Sequence, residues 1–559
     1  MKHPRPELNT DITLRGAALL QNPVLNKGTA FTQDERLALG LQGLLPPSVN
    51  TLAQQVTLEV EHIRRKHDDL EKFITLAALQ NRNETLFYKV LLENLEEFMP
   101  IVYTPTVGKA CQEYSHILRD PRGLWITPHD IDRIPEILRH VHQDARLIVV
   151  TDAERILGLG DQGTGGMGIP VGKLALYTAG AGIHPSLTLP ITLDVGTDRK
   201  ELLDDPLYLG LREPRLRGPK YDAFIEAFVV AVKEVFPHVL LQWEDFKQHN
   251  AIAILDRYRK RLCSFNDDVQ GTAGVVCAGI FAAIRAVKEP ISRQRVAFLG
   301  AGAAGTGIAA LVAEAMRQEG ASPKDIKGAI VTLDSKGLIY EGRVPLDHDK
   351  LASAIGAEEM KKYGFEQGRF YNLEEVVAHV HPTMLVGTAG TPGAFTEGAI
   401  REMAKHAARP IIFPLSNPTS SCEATPADVM TWTDGRAIVA TGSPFAPVTY
   451  GGKTHIIGQA NNVFIFPGVG LGAIVAEAKE VTDQMFLTAA RALAEQVSED
   501  RLATGALYPR VSELRPMCRI IAARVAAEAR GAGPSEYAAI EREVEEMMWE
   551  PKYHPYHAV

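Results

Sequence analysis

Residues 295–315 read RVAFLGAGAAGTGIAALVAEA. A short apolar strand pattern, RVAFL, runs into a glycine cluster, and a helical pattern follows at once. Gly300, Gly302 and Gly305 form GxGxxG. In a strand–turn–helix setting each glycine has a task. Gly300 permits the tight turn, Gly302 removes the side chain that would block a pyrophosphate, and Gly305 lets the helix close on the strand. The helix N-terminus then faces the phosphates. The same glycines alone would also suit a purely structural turn; the flanking strand and helix favour a dinucleotide site.

The next strand pattern, GAIVTL (328–333), ends in Asp334. An acid there can accept hydrogen bonds from the ribose 2′-hydroxyl of NAD. It lies 34 residues beyond Gly300, a longer interval than usual, and a strand-end Asx turn would use the same residue. Asp334 would repel a 2′-phosphate, whereas Ser335, Lys336 and Lys350 nearby could accept one. The reading favours NAD over NADP.

Further strand patterns follow at TMLVGT (383–388), PIIFPLS (410–416) and AIVATG (437–442), most separated by helical patterns. That is the rhythm of a doubly wound nucleotide-binding domain, assigned to residues 268–460. Upstream, RLIVVT (146–151), LTLPITLDV (187–195) and HVLLQW (238–243) alternate with helical patterns, which predicts a second α/β unit with mainly parallel strands. Its bounds are set at 121–267, completed by 461–530. Residues 1–120 are expected to form a helical first domain. Apolar residues recur there at three- and four-residue spacing in TLAQQVTLEVEHIRRK and NETLFYKVLLENLEEFM, and Pro100 and Pro105 are expected to break the pattern. Residues 531–559 are expected to be a helical tail. The fold class is α/β with a helical N-terminal domain.

Composition bounds the function. The 559 residues are 45% apolar and 23% charged, with a formal charge of −9, ordinary for a globular protein. The densest basic run, RYRKR (257–261), fits a solvated helix face rather than a nucleic-acid stripe. Five cysteines without a CxxC pair argue against a disulfide framework. The N-terminus MKHPRPELNTD has no apolar targeting segment, and Gly271–Ile284 is too short to span a bilayer. A cytoplasmic protein is expected, with no membrane or nucleic-acid partner.

Two acidic pairs carry chemistry. Glu244-Asp245 ends the run HVLLQWEDF, and Asp267-Asp268 follows RLCSF in FNDDVQGTA. Apolar runs that stop at adjacent carboxylates read as buried strands delivering charge to one sheet edge. Either pair alone reads equally as a solvated strand end. Two pairs on adjacent strand candidates point to a hard divalent cation, Mg²⁺ or Mn²⁺.

Other residues read two ways. Lys173 closes GLGDQGTGGMGIPVGK (158–173) and is the only lysine between 110 and 199. That stretch is no Walker loop and on its own fits a structural turn. A lysine at a helix start opposes the helix dipole, which suits a functional residue better. Tyr103 in IVYTPTVG (101–108) also suits a core tyrosine. Arg155, in TDAERILGLG (151–160), suits bidentate carboxylate recognition or a structural ion pair. Asn417 in PLSNPTS (414–420) and Asn461-Asn462 in GQANNVFIFPG (458–468) follow turn signals.

Taken in order, NKGTAFTQDERLALGLQGLLPP (26–47), IVYTPTVGKAC, PRGLWIT, TDAERILGLGDQGTGGMGIPVGKLALY, LQWEDF, FNDDVQGTA, FLGAGAAGTGIA, LSNPTS and GQANNVFIFPG resemble the malic enzyme family of the NAD-dependent, decarboxylating type. The resemblance runs over roughly residues 25 to 530. It implies oxidative decarboxylation of L-malate to pyruvate and CO₂ with reduction of NAD⁺, dependent on Mg²⁺ or Mn²⁺, with side decarboxylation of oxaloacetate. Carried over, Glu244, Asp245 and Asp268 are the metal ligands, with Asp267 beside them handling protons. Lys173 is the general base and Tyr103 the general acid. Arg155, Asn417 and Asn462 contact substrate, and Arg155 and Asn417 also meet the cofactor. The family implies a homotetramer built as a dimer of dimers. A lysine base needs its pKa lowered from ~10.4, which burial and a nearby cation would both do. The alternatives are a malolactic enzyme, which keeps its NAD and releases lactate, and a catalytically silent NAD-binding sensor.

Overall fold

The computed structural model describes residues 10–141, 144–156, 158–344, 346 and 348–559. After a two-residue strand, β1 (Asp11–Ile12), the N-terminal region is helical, with successive helices at Leu52–Arg64, Asp69–Arg82, Glu84–Glu93 and Leu95–Val102. Three have polar side chains closing their exposed N–H groups: Thr51, Asp68 and Asn83 each accept from the first turn. Pro100 does not break the pattern as expected, since it lies inside Leu95–Val102. The helix ends at Tyr103, whose backbone turns extended, and Pro105 precedes the next helix, Thr106–Gln112.

The first α/β unit is a five-stranded sheet: β2 (Leu124–Ile126), β3 (Leu147–Thr151), β4 (Thr188–Leu193), β5 (Leu240–Glu244) and β6 (Ser264–Asn266), in the order β2-β4-β3-β5-β6. All neighbours are parallel. Every residue of β3, β4 and β5 is buried, as for a parallel sheet covered on both faces. The three-residue strands β2 and β6 carry too few residues to show a period, and the sequence reading passed over them. In the register Thr151 opposes Glu244 and Trp243 opposes Asn266. Three neighbouring strands therefore release residues 152–155, 245 and 267–268 at one edge.

The second sheet holds β7 (Val296–Leu299), β8 (Ile330–Asp334), β9 (Gly337–Leu338), β10 (Met384–Gly387), β11 (Ile411–Pro414), β12 (Ile438–Thr441) and, beyond a separate hairpin of β13 (Val448–Tyr450) and β14 (Lys453–His455), β15 (Gly458–Gln459). Its order is β15-β12-β11-β10-β7-β8-β9, parallel except for β8-β9. The chain leaves β7 for β8 on one side and returns as β10 on the other. This is the topological switch point of a doubly wound sheet, where ligands bind outside the strands' carboxyl ends.

The helix Thr272–Val287 joins the two units and packs against Asp483–Glu495 and Ala303–Gln318. With the preceding turn it makes Asp267–Val287 long and apolar enough to cross a membrane, yet 72% of its most apolar window is buried inside the protein. The last helix, Tyr537–Met547, covers only part of the tail expected to be helical. Beyond it the chain runs back to the N-terminal region, where β16 (His557–Ala558) pairs with β1. Lys27, buried there, meets Glu35 at 2.5 Å and lies 3.7 Å above the Tyr556 ring.

Candidate active site

The carboxylates gather because β5 and β6 are parallel neighbours. Glu244 closes β5, and Asp245 follows with φ of 58°. A non-glycine residue held in that region costs of order 1–3 kcal/mol and persists where its surroundings demand it. Here the Asp245 amide donates to Asp268 Oδ2 at 2.8 Å. Asp267 and Asp268 open a single π-helical turn, Asp267–Gly271, and the Asn266 side chain accepts from the Val269 amide within it. Such turns recur at functional sites. One oxygen from each of Glu244, Asp245 and Asp268 lies within 4.8 Å of the others.

Lys173 is the cation facing them. It is the sixth residue of the helix Gly168–Ala181, so the expected position at the helix start is corrected: the lysine sits in the second turn, beyond the dipole's end. The side chain is 1% exposed. Its Nζ lies 2.9 Å from Glu244 Oε1 and donates to Asp267 Oδ2. The Phe466 ring is 4.5 Å away and the Tyr103 ring 5.4 Å. Gly172 allows this approach, since a Cβ there would lie 2.7 Å from the Val102 carbonyl oxygen.

The electrostatics are one-sided: four carboxylates face one ammonium. Burial lowers the Lys173 pKa as expected, but Asp267 and Glu244 outweigh it and hold the pKa well above the usual value. Burial, reinforced by Asp268 and Asp267, pushes Glu244 up to about 8 against the pull of Lys173. Burial likewise raises Asp268 to about 6, and Asp245 well above its ordinary range. Burial raises Tyr103 well above 10.0.

The remaining residues divide. Asn462 donates to Asp267 Oδ2 at 3.0 Å and to Thr272 Oγ1 at 3.1 Å. Arg155 is exposed; its amide donates to the Asp245 carbonyl oxygen at 3.1 Å, and its charge partly opposes the rise that burial imposes on Asp268. Asn417 lies beyond β11 and accepts from Ser443 Oγ, inside the second unit. Its loop meets the first unit at Gly158, where a Cβ would lie 3.5 Å from Pro418 Cδ.

At the switch point, a Cβ on Gly305 would lie 2.0 Å from the Gly300 carbonyl oxygen, and one on Gly300 2.6 Å from Thr388 Oγ1. Both glycines are sterically required. A Cβ on Gly302 would make only ordinary contact, with the Gln248 side chain at 3.6 Å, so that position is not sterically closed. Asp334 is already engaged. Arg343 donates to both its oxygens, at 2.9 and 2.6 Å, and Lys350 donates at 2.8 Å. Burial works against it, but these cations keep its carboxyl below the usual range. An isolated acceptor for a ribose hydroxyl is therefore not what the fold provides.

Two family descriptions match the chain: "Malic enzyme, NAD binding domain" over residues 269–530 and "Malic enzyme, N-terminal domain" over 80–259. An NAD-dependent malic enzyme of Aeromonas salmonicida is 48% identical over 554 residues, 98% of this chain and 97% of that one. The chain belongs to the malic enzyme family. Another relative, an NAD-dependent malic enzyme of Pseudomonas syringae pv. tomato, is also 48% identical, with 98% of each chain covered. The crystal structure of Entamoeba histolytica malic enzyme matches with a TM-score of 0.55 at 27% identity, over 83% of this chain and 88% of that one.

Membership of the malic enzyme family makes the fit to a divalent cation worth testing on the residues themselves. Asp267 Oδ1 is buried without a hydrogen-bond partner, and the three clustered carboxylates supply oxygen ligands of the kind Mg²⁺ and Mn²⁺ prefer. The donor set fits such an ion.

Sequence reasoning overlooked Tyr177, Gln242 and Glu423. Tyr177 donates to Gln242 Oε1, and Gln242 donates to Glu244 Oε2 at 2.7 Å. The signal was present: Tyr177 falls four residues after Lys173 on one helix face, and Gln242 is a lone polar residue two before Glu244 on one strand face. Glu423, fully buried, accepts from the amides of Ala389 and Ser416 and so ties the loops after β10 and β11 together.

Proposed function

We propose that this protein converts L-malate to pyruvate and CO₂ with reduction of NAD⁺, using a divalent cation held by Glu244, Asp245 and Asp268. The observation that carries this reading is the meeting of that triad with Lys173, 2.9 Å from Glu244, in a chain whose second sheet ends in a dinucleotide-type glycine turn. Mg²⁺ or Mn²⁺ bound there would neutralise the carboxylates and act as a Lewis acid towards charge developing on the substrate oxygen.

Lys173 would take the proton of the malate C2 hydroxyl, and NAD⁺ when bound would supply the hydride acceptor for C2. Asp267, which accepts from its Nζ, receives or returns that proton. After CO₂ is lost, Tyr103 protonates C3 of the enol. Burial keeps its phenol protonated. Each proton-transfer group contributes roughly 10²–10⁴-fold. Arg155 pairs with a substrate carboxylate beside the nicotinamide, Asn462 and Asn417 orient substrate, and Asn417 also touches the cofactor. Gly300, Gly302 and Gly305 would hold the pyrophosphate of NAD⁺, and Asp334 with its cations would meet the adenosine ribose. Residues 1–120 contribute contacts to a homotetramer, and the protein works in the cytoplasm, in keeping with five free cysteines.

Product analysis tests the reading. With malate, Mn²⁺ and NAD⁺, pyruvate and NADH are expected in equal amounts. Lactate without net NADH would assign the malolactic reaction instead.

A further inference from the structure

Lys173 and Glu244 are joined twice. Directly, Nζ lies 2.9 Å from Glu244 Oε1. Indirectly, the other carboxylate oxygen, Oε2, accepts from Gln242 Nε2 at 2.7 Å, and Gln242 Oε1 accepts from Tyr177 Oη. Tyr177 stands one helical turn beyond Lys173, and Gln242 stands two residues before Glu244. Three side-chain contacts and the helix turn between Lys173 and Tyr177 thus close a ring, and all four side chains are buried.

The ring has a direction. A glutamine amide can turn over, offering either its NH₂ or its oxygen to a neighbour. The Tyr177 hydroxyl gives its proton to Oε1, which leaves the NH₂ for Glu244. Turned over, Gln242 would set a carbonyl oxygen against a buried carboxylate. The tyrosine is itself fixed: a Cβ on Gly470 would lie 2.5 Å from Tyr177 Cε1, and the Phe466 ring is 4.9 Å away. With Oε1 on Lys173 and Oε2 on Gln242, the Glu244 carboxylate has one orientation, and the unshared lone pairs of its oxygens remain for a ligand.

We infer that Tyr177 is a positioning residue for the metal ligand Glu244, acting through Gln242. The inference rests on the cation reading proposed above. Partners of this kind orient ligands, and their loss typically costs about 10–100-fold in metal affinity.

The test is Mn²⁺ binding to the full-length protein without malate or NAD⁺, followed by the electron paramagnetic resonance of the free ion. Tyr177→Phe is expected to weaken Mn²⁺ about 10-fold, with a thermal midpoint close to that of the unmodified protein. Gln242→Met is expected to weaken it at least as much, and the double variant no further than Gln242→Met alone. Mn²⁺ affinity of Tyr177→Phe within about twofold of the unmodified protein overturns the inference. So does a double variant whose loss is the product of the two single losses, because the residues would then act separately. If Tyr177→Phe does not fold, Gln242→Asn decides, since it withdraws the amide by one methylene: weaker Mn²⁺ binding supports the inference and unchanged binding overturns it. Asp268→Ala serves as the reference. Unchanged Mn²⁺ binding in that variant would sink the cation reading itself, whereas loss there with no effect at Tyr177 would sink only this inference.

Discussion

Lys173 Nζ and Glu244 Oε1 lie 2.9 Å apart, both almost wholly buried. One residue is proposed as the base and the other as a cation ligand. Without the cation the carboxylates hold Lys173 as an ammonium, a form that cannot accept a proton. A cation held by the same carboxylates would oppose that effect on Lys173.

Lys173→Ala is expected to lower turnover by at least about 10²-fold, the floor for a proton-transfer group, while NAD⁺ still binds. Steady-state turnover with a parallel fluorescence titration of the nucleotide measures both. Near-normal turnover would remove Lys173 from the chemistry.

Tyr103→Phe is expected to slow exchange of the pyruvate methyl protons more than hydride transfer. The aromatic ring stays, and only the acid group is lost. Comparing proton exchange by NMR with the NAD⁺-linked rate reads the difference. Equal loss in both would argue against a role confined to enol protonation.

The acid pKa values set a pH dependence. Glu244 lies at about 8 and Asp268 at about 6, above their ordinary 4.5 and 3.8. Between roughly pH 4 and 8 these two groups therefore keep protons in the metal-free folded protein that the unfolded chain has lost, and their contribution to stability falls as pH rises. The raised Lys173 pKa acts outside this window, since both states of that group are protonated there. A bound cation replaces the carboxyl protons, so the rise in Tm produced by Mn²⁺ is expected to be larger at about pH 8 than at about pH 5.5. Scanning calorimetry with Mn²⁺ and with a chelator would show it; an equal rise at both pH values would contradict it.

Asp334→Ala is expected to raise the KM for NAD⁺ and to shift the NADP⁺/NAD⁺ ratio of kcat/KM upwards by about 10-fold. Arg343 and Lys350 would be released to meet a 2′-phosphate, and each tenfold is about 1.4 kcal/mol. Rates with both nucleotides measure the ratio, and an unchanged ratio would place Asp334 away from the ribose.

Much of this was legible in the sequence. The strand patterns that seeded β3, β4, β5, β7, β8, β10, β11 and β12 were visible because strands buried on both faces are continuous apolar runs. The acidic pairs could be placed together because parallel neighbours deliver their ends to one edge. Legibility failed where tertiary context decides. Pro100 reads as a breaker, yet the helix Leu95–Val102 absorbs it near its end. Asp334 reads as a strand-end acid, and its pairing with Arg343 and Lys350 stays hidden, because no motif fixes their distances in sequence. The Lys173 pKa turned on how many carboxylates surround it, which only the packing reveals.

The most direct measurement is absorbance at 340 nm with malate and NAD⁺, with Mn²⁺ or with a chelator, for the unmodified protein and for Asp268→Ala. The account predicts sustained NADH formation that requires Mn²⁺ and is lost or greatly reduced in Asp268→Ala at the same Mn²⁺ concentration. NADH formation undiminished by the chelator, or equal in Asp268→Ala, would contradict it.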